Sequence, residues 1–257
     1  MKILIFPDAQ TASLETARRI MTRVATMPKA VLGLATGGTM EPVYTALRSA
    51  FAQHPMAFSG ITTFNLDEYI GLHPDHPQSY HCYMKKHLFA ALQLPVARTH
   101  LPRGDAPDPD AESARYEDAI LQAGGIDLQL LGLGANGHIG FNEPTSSLTS
   151  RTRIKTLTRS TVAANARFFS EDERVPDTAI TMGIGTILDA KQILLLATGA
   201  AKKDAVAKMI EGPLSAACPA SALQLHRHAT ILVDEAAATD LKLRVYYETV
   251  HPSGADK

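Results

Sequence analysis

The chain has 257 residues, of which 45% are hydrophobic and 20% charged, a composition typical of a globular protein with ample core. The formal net charge of -1 at pH 7 excludes a broadly basic surface, so we expect neither nucleic acid nor an anionic membrane as a partner. Cys82 and Cys218 are isolated and predict no disulfide framework. No apolar run approaches the roughly 20 residues of a membrane helix, and residues 1–7 are interrupted too early for a signal peptide. A cytoplasmic setting is therefore expected.

Short apolar runs alternate with helical patterns from one end of the chain to the other. Apolar spacing predicts a helix over residues 13–26, Pro42 opens a second helix, Asp108 caps a third, and residues 202–210 form a fourth that ends at Gly212. Strands that alternate with helices predict an α/β fold with a mostly parallel sheet and helices on both faces, residues 2–6 forming an edge strand. The predicted strands are residues 2–6, 30–34, 61–65, 128–133, 192–197, 230–233 and 244–247.

No linker or repeat divides the chain, so residues 1–257 are expected to form a single domain. The segment from residue 146 to residue 185 departs from the alternation and is richer in Thr, Ser and Arg. Loops that close over a substrate often have this composition, and so do plain surface excursions. A lid around residues 146–185 and a surface excursion are both open interpretations.

Polar and small residues follow four of the predicted strands at the point where each strand ends. Ligands of open α/β sheets bind outside the carboxyl ends of the strands, so these groups are expected to converge on one crevice. They are Thr36, Gly37, Gly38 and Thr39 after the second strand, Asp67 and Glu68 after the third, Asn136, His138 and Glu143 after the fourth, and residues 199–203 after the fifth.

The Thr-Gly-Gly-Thr run at residues 36–39 joins a predicted strand to a predicted helix. Exposed backbone N–H groups, a helix start and two hydroxyls favour an anion, above all phosphate, although a tight turn that simply needs glycine is the alternative. Residues 132–137 formally match the dinucleotide pattern G-x-G-x-x-G. They lead into a Gly-, Asn- and Pro-rich stretch instead of a helix, so no nucleotide cofactor is expected.

Two groups of residues have the chemistry for proton transfer. His138 can exchange a proton near neutral pH and Glu143 can orient its ring, the alternative being a buried histidine bonded to a backbone carbonyl. Asp67 and Glu68 are adjacent in an extended stretch, so one of the two is expected to face the crevice. A poorly solvated carboxylate suits abstraction of a carbon-bound proton, whereas an ion pair or a helix cap is the competing interpretation.

Metal binding is poorly supported, because the histidine pairs at residues 73 and 76 and at residues 226 and 228 lack a third ligand beside them. No metal is therefore predicted.

The alternating bases Arg151, Arg153 and Lys155 could line one face of an extended segment, where they would bind a second phosphate or meet solvent.

Several motifs in order make the chain similar to the glucosamine-6-phosphate deaminase family along almost its whole length. The matching stretches are residues 32–39, 64–72, 137–144, 150–156 and 218–226. The resemblance implies a Rossmann-like three-layer α/β sandwich. It also implies hydrolytic deamination and isomerisation of glucosamine 6-phosphate to fructose 6-phosphate and ammonia in amino-sugar catabolism, with no cofactor.

The resemblance also implies a role for each matching residue. His138 would open the sugar ring with Glu143 and Asn136 as its partners, and Asp67 would move a proton from C2 to C1. The phosphate would be held by Thr36, Gly37, Gly38, Thr39, Arg167 and Lys202, and an N-acetylated sugar phosphate could act as an allosteric effector at Ser146, Arg153, Lys155 and Thr156.

Two features depart from the family pattern, and two other functions stay open. Asn136 stands where some members have aspartate, and the C-terminal tail does not clearly supply the usual aromatic contribution to the effector site. Members differ in assembly, so a homo-oligomer is one arrangement that the resemblance allows. A 6-phosphogluconolactonase would not be expected to combine residues 141–144 with residues 65–68, and a sugar-phosphate sensor is expected to lose Asp67 or His138, both of which are present.

Overall fold

The computed structural model describes residues 1–167, 169–170 and 173–255. Its strands form two sheets, a large parallel one and a small antiparallel one. In chain order the strands are Lys2–Phe6 (β1), Val31–Leu34 (β2), Thr62–Asn65 (β3), Asp67–Tyr69 (β4), Thr99–His100 (β5), Leu128–Leu131 (β6), Arg153–Thr156 (β7), Thr178–Thr181 (β8), Ile193–Ala197 (β9) and Ala229–Asp234 (β10).

The large sheet has seven strands in the order β1-β10-β9-β6-β2-β3-β5, and every neighbouring pair is parallel. Its central strands read as continuous apolar runs, such as the five buried residues of β9, because both faces of the sheet are covered. β1 lies at the edge, and helices surround the sheet. The predicted α/β class and the predicted edge strand are both confirmed.

The helices begin where short polar side chains or proline permit. Asp8 accepts the backbone N–H of Thr11 and so starts the first helix at Ala9, four residues earlier than the apolar spacing predicts. The predicted cap at Asp108 is confirmed by its bonds to the N–H groups of Asp110 and Ala111. The α-helices are Ala9–Thr26 (α1), Glu41–Gln53 (α2), Tyr80–Met84 (α3), Ala90–Leu92 (α4), Pro109–Gln122 (α5), Arg159–Ala166 (α6), Ile184–Leu188 (α7), Lys203–Glu211 (α8) and Arg244–Val250 (α9).

Shorter helical segments connect several of these elements. Among the described residues no helix is both long enough and apolar enough to span a bilayer. The short segments are the 3-10 turns Gly38–Met40, Pro55–Phe58, Val96–Arg98, Ala200–Lys202, Pro219–Leu225 and Pro252–Gly254 and the π-helical turn Lys85–Phe89.

The strand order places a topological switch between β2 and β6. The next strands in the chain, β3 and β5, lie on one side of β2. The strand after them, β6, pairs with β2 on its other side. The loops that follow β2 and β6 therefore leave the sheet in different directions and open a crevice at its carboxyl edge. This geometry brings together the strand ends on which the predicted site residues lie.

The predicted strand at residues 244–247 is wrong, because these residues begin α9. Val245 and Tyr246 are β-type residues, but they are 77% and 63% exposed, so no sheet buries an alternating face here. Arg244 instead pairs with Glu248 one helical turn later and with Glu235, which favours the helix.

The segment predicted as a lid contains ordered elements: β7, α6, β8 and α7 all lie between residues 146 and 185. β8 pairs with β4 on one side and with β7 on the other, so this segment is attached to the strand that carries Asp67. Residues 168, 171 and 172 of the predicted lid lie outside the described residues. Closure of the segment over a ligand stays a prediction.

Candidate active site

A cavity of about 480 Å³ opens at the carboxyl edge of the large sheet. It gathers side chains from the ends of β2, β3, β6 and β9 and from α6, as the strand-end pattern predicts. The residues predicted from the sequence that line it are Thr36, Gly37, Gly38, Thr39, Asp67, Asn136, His138, Arg167 and Lys202.

Two loops of similar construction form one side of the cavity. Gly37 follows β2 with a φ of 103° and precedes a 3-10 turn into α2, and Gly199 follows β9 with a φ of 88° and precedes a 3-10 turn into α8. Such φ values favour glycine because a Cβ atom would clash with the backbone. Apart from its own residue and the two chain neighbours, a Cβ atom at Gly37 or Gly38 would meet no heavy atom of the described residues within 4 Å, so a ligand can approach this backbone closely.

Two cations stand at the same end of the cavity. Lys202 is half-buried, and its pKa lies below the ordinary value because of burial first and then the positive charge of Arg167. Two like charges brought to one end of a cavity favour the binding of an anion there. Together with the loop at residues 36–39, they form a cradle suited to a phosphate group.

Asp67 is a buried carboxylate on the cavity wall. Burial raises its pKa to about 8, and the charge of Glu68 adds to the effect, while hydrogen bonds from the Phe141 N–H and the Thr181 hydroxyl oppose it. A carboxylate in this environment is a stronger base than one in water. It can therefore accept a proton from a weak carbon acid.

Glu68 points to the opposite side of β4, as the alternation along an extended stretch predicts. Its carboxylate accepts backbone N–H groups of Tyr69, Tyr80 and His81 at 2.9, 3.0 and 2.9 Å. Burial raises its pKa to about 7 in spite of these bonds. The alternative interpretation as a helix cap thus applies to Glu68, which bonds the start of α3, and not to Asp67.

His138 is held beside Glu143 in the loop that follows β6. A Cβ atom at Gly134 would lie 2.3 Å from the His138 ring, so the ring occupies space that only glycine leaves free. The His138 Nδ1 atom lies 3.4 Å from Glu143 Oε2, and the Asn136 Nδ2 atom donates to the same oxygen at 2.8 Å. With Nδ1 turned toward Glu143, Nε2 is the nitrogen that can exchange a proton with a ligand.

Glu143 lies behind His138 and does not line the cavity. Burial alone would raise its pKa, but interactions with His138, Thr161 and Asn136 outweigh burial and hold the pKa well below its usual range. Glu143 is therefore a fixed negative charge that orients the imidazole ring. The alternative of a histidine bonded only to a backbone carbonyl does not describe this geometry.

The four residues predicted for an effector lie away from the cavity lining. Ser146 is buried, and its hydroxyl has no hydrogen-bond partner among the described residues. Arg153 and Lys155 share the half-buried face of β7, with Thr156 exposed on the other face. Arg153 donates to Asn142 Oδ1 at 2.9 Å.

Arg151 does not join the anion-binding face that the alternating bases could form. It pairs with Glu117 at 2.8 Å and with Asp189 at 2.5 Å.

The two histidine pairs are not part of a larger group of possible metal ligands. In the described ranges, no three or more His, Cys, Asp or Glu side chains are grouped so that they could hold a metal ion.

Several residues that line the cavity were not predicted from the sequence. Tyr80, Phe141, Thr161 and Asn165 contribute to its wall, and the rings of Tyr80 and Phe141 stack at 5.9 Å. For Thr161 a signal existed, since Thr158 three residues earlier is typical of a helix N-cap. The others carry no local pattern that distinguishes them from core residues.

A sequence profile of the family described as glucosamine-6-phosphate isomerases/6-phosphogluconolactonase matches residues 7–232. The chain belongs to this family. A protein of Shewanella loihica named glucosamine-6-phosphate deaminase is 54% identical over 97% of this chain and 93% of its own length. One of Hahella chejuensis with the same name is 54% identical over 99% of both chains.

Solved structures have the same fold. A monomeric glucosamine-6-phosphate deaminase superposes with a TM-score of 0.91 at 46% identity, covering 93% of this chain and all (100%) of that chain. The 6-phosphogluconolactonase of Trypanosoma cruzi superposes with a TM-score of 0.76 at 18% identity, covering 94% of this chain and 97% of its own. The second likeness concerns the fold alone.

Proposed function

We propose that the chain is a glucosamine-6-phosphate deaminase, which converts glucosamine 6-phosphate and water to fructose 6-phosphate and ammonia in amino-sugar catabolism. Relatives with this name are 54% identical to the chain over nearly its full length. The observation that carries the proposal is one cavity lined by a buried carboxylate, an imidazole and a cationic cradle, at Asp67, His138, Arg167 and Lys202.

The cradle would bind the substrate through its phosphate. The backbone at residues 36–39 supplies N–H donors, and Arg167 and Lys202 supply the charge that the nearly neutral chain lacks as a whole. Fixing the phosphate at one end of the cavity leaves the sugar ring to extend toward Asp67 and His138. Binding energy from a group that does not react is then used to position the carbon atoms that do.

His138 would act first, on the closed pyranose. Its ring accepts the proton of the C1 hydroxyl and returns it to the ring oxygen, which breaks the C1–O bond and yields the aldehyde. The low pKa of Glu143 keeps that carboxylate ionised beside Nδ1, so it steadies the ring while the imidazole carries the proton. Asn136 holds the same carboxylate oxygen.

Asp67 would act second, on the open chain. The aldehyde acidifies the C2–H bond, and Asp67 accepts that proton and delivers it to C1. A proton of the amine passes to the C1 oxygen at the same stage, which leaves a C1 hydroxyl and an imine at C2. Water adds to the imine carbon and ammonia leaves, so oxidation at C2 is balanced by reduction at C1 and no external oxidant takes part. The high pKa of Asp67 suits both halves of this transfer, because the residue must accept a proton and then give it back.

The direct test measures products from two substrates in buffer without added metal or nucleotide. The proposal predicts equal amounts of ammonia and fructose 6-phosphate from glucosamine 6-phosphate, with little hydrolysis of 6-phosphogluconolactone. Fast hydrolysis of the lactone without ammonia release from the amino sugar would favour the lactonase. Binding of glucosamine 6-phosphate without any turnover would favour a sensor.

Three narrower points belong to the same proposal. An N-acetylated sugar phosphate would act as an effector through Ser146, Arg153, Lys155 and Thr156. The half-burial of Arg153 lowers the pKa of its guanidinium, and this supports an anion at that position.

A charged phosphate ester as substrate supports a cytoplasmic setting. A homo-oligomer is compatible with the fold, although the similar solved deaminase is described as monomeric. Sedimentation with and without N-acetylglucosamine 6-phosphate, read beside substrate saturation curves, tests assembly and effector together.

A further inference from the structure

The carboxylate of Glu143 contacts two different parts of the fold, one through each oxygen. Oε2 meets the catalytic loop, where Asn136 Nδ2 lies at 2.8 Å and His138 Nδ1 at 3.4 Å. Oε1 meets the start of α6, where it accepts the Thr158 N–H at 3.2 Å, the Thr158 hydroxyl at 3.0 Å and the Thr161 hydroxyl in a shorter bond. The proposed mechanism uses the first set of contacts and leaves the second unexplained.

The two threonines are built into the helix that carries them. Thr158 is the N-cap of α6, and its hydroxyl oxygen accepts the N–H of Thr161 at 3.3 Å. The single hydrogen of each hydroxyl can therefore be donated to Glu143 without loss of the cap. Thr161 is buried, so water cannot easily replace its hydroxyl at Oε1.

We propose that Thr161, with Thr158, is a positioning residue for ring opening: the two hydroxyls hold Oε1 of Glu143 so that Oε2 stays directed at His138. The inference rests on the proposed function and extends it to α6. A carboxylate held through one oxygen alone can rotate about its last bond, and two threonine donors on the other oxygen remove that freedom. The imidazole is then held in one orientation by a fixed partner.

The surroundings of Glu143 support a role for neutral donors here. Among the contacts described for this carboxylate, His138 is the one titratable group. Arg153 of β7 bonds Asn142 instead, Arg159 at the start of α6 is exposed, and Asp67 of β4 faces the cavity that Glu143 does not line. No cation in the described contacts competes with the threonines for Oε1.

The test compares Thr161→Val with a matched variant elsewhere. Thr186 is also a buried threonine whose hydroxyl donates to a glutamate, Glu117 Oε1, at 2.6 Å, but it lies outside the cavity. Thr161→Val is expected to lower kcat for glucosamine 6-phosphate by at least about tenfold, the effect of one lost hydrogen bond to a charged group. Thr186→Val is expected to lower the thermal midpoint and leave kcat within about twofold of the parent.

A second readout separates positioning from a general loss of structure. Slower ring opening makes the later C2–H cleavage less rate-limiting, so the effect of deuterium at C2 on kcat is expected to shrink in Thr161→Val. Thr161→Ser keeps the hydroxyl and is expected to restore both kcat and the isotope effect. If the valine variant does not fold, Thr161→Ala takes its place in the same comparison.

Parent-like kcat in Thr161→Val or Thr161→Ala, or failure of Thr161→Ser to restore kcat, would overturn the positioning role. These outcomes differ from failure of the proposed function, in which the unmodified protein itself releases no ammonia from glucosamine 6-phosphate.

Discussion

Asp67 and Glu68 show how two adjacent residues of similar chemistry acquire different tasks. Both carboxylates are buried, and burial raises both pKa values, to about 8 and about 7. Glu68 is bonded by three backbone N–H groups and holds the start of α3, whereas Asp67 faces the cavity. The two carboxylates lie on opposite faces of β4 because neighbouring side chains of a β-strand point in opposite directions.

Asp67→Asn is expected to abolish ammonia release while leaving binding of glucosamine 6-phosphate nearly unchanged. The amide fills the same space but cannot accept the C2 proton. A steady-state ammonia assay and a calorimetric titration measure the two quantities. Turnover of this variant at the parent rate would show that another group is the base.

The same substitution is expected to change stability in a pH-dependent way. Because burial raises the pKa of Asp67 from 3.8 to about 8, the folded chain retains a proton over this window that the unfolded chain has lost. The contribution of Asp67 to stability therefore falls as the pH rises through the window. Above it, Asp67→Asn should be more stable than the parent by on the order of a few kcal/mol.

Thermal unfolding at both ends of this window checks the pH dependence. The gain in stability should shrink toward the acid end, where Asp67 is protonated in both states. A gain of equal size at both ends would contradict the linkage between burial and ionisation.

Asn136 is the third member of the group that it forms with His138 and Glu143. Its Nδ2 donates to Glu143 Oε2 at 2.8 Å, so Asn136→Asp would bring two carboxylates together. We expect Asn136→Asp to lower the thermal midpoint, relative to the parent at the same pH, more at pH 8 than at pH 5. One of the two neighbouring acids must hold a proton in the folded state, and this becomes more costly as the pH rises. A loss of stability that is independent of pH would contradict this explanation.

At the scale of elements, α6 is a short helix that carries groups for two parts of the site. Its first turn holds Glu143 through Thr158 and Thr161, and its C-cap is Arg167, which lines the phosphate end of the cavity. The helix is eight residues long, with one buried residue. Its conformation is therefore expected to matter more for catalysis than for global stability.

Ala163→Gly tests this expectation in the middle of α6, at an exposed position that does not line the cavity. Glycine weakens a helix by about 1 kcal/mol, so we expect a higher KM and a lower kcat with little change in the thermal midpoint. Ala114→Gly, at an exposed position of α5, is the matched control. It should lower the thermal midpoint and leave the kinetic constants unchanged; equal kinetic effects in both variants would contradict the role of α6.

The phosphate loop allows a similar pair of variants. Alanine at Gly37 must adopt a φ of 103°, whereas Gly38 has no positive φ, and neither new Cβ atom would touch protein. We expect Gly37→Ala to destabilise the protein by about 1 kcal/mol or more through backbone strain, and Gly38→Ala to leave stability unchanged. Both should raise KM, because each methyl group enters space that the phosphate would use; equal stability of the two variants would contradict the strain.

At the scale of the molecule, the sheet could be predicted from the sequence because its strands are short buried runs. β9 is apolar throughout, and its sequence predicts a strand without reference to the neighbouring strands. Residues 244–247 misled the prediction, since Val245 and Tyr246 favour strands in isolation, and the missing information was whether a neighbouring strand would bury them.

The candidate site could be predicted as far as it follows strand ends. Asp67 and His138 belong to that pattern, and the parallel sheet brings them to one edge. The helix start at Thr158 has a local signal, but the contact of Thr161 with Glu143 could not be predicted, because it joins residues 18 positions apart and neither residue reveals it alone. The cavity also has a cationic end in a chain of net charge -1, so local placement and not overall charge determines what it can bind.

The proposed reaction requires that one cavity remove the hydrogen at C2 of an amino-sugar phosphate before the nitrogen leaves. Glucosamine 6-phosphate deuterated at C2 tests it directly, with the product analysed by NMR spectroscopy. Every molecule that releases ammonia is expected to have lost its deuterium from C2 and to have become fructose 6-phosphate. Release of ammonia with deuterium retained at C2 of an aldose phosphate would contradict this order of steps.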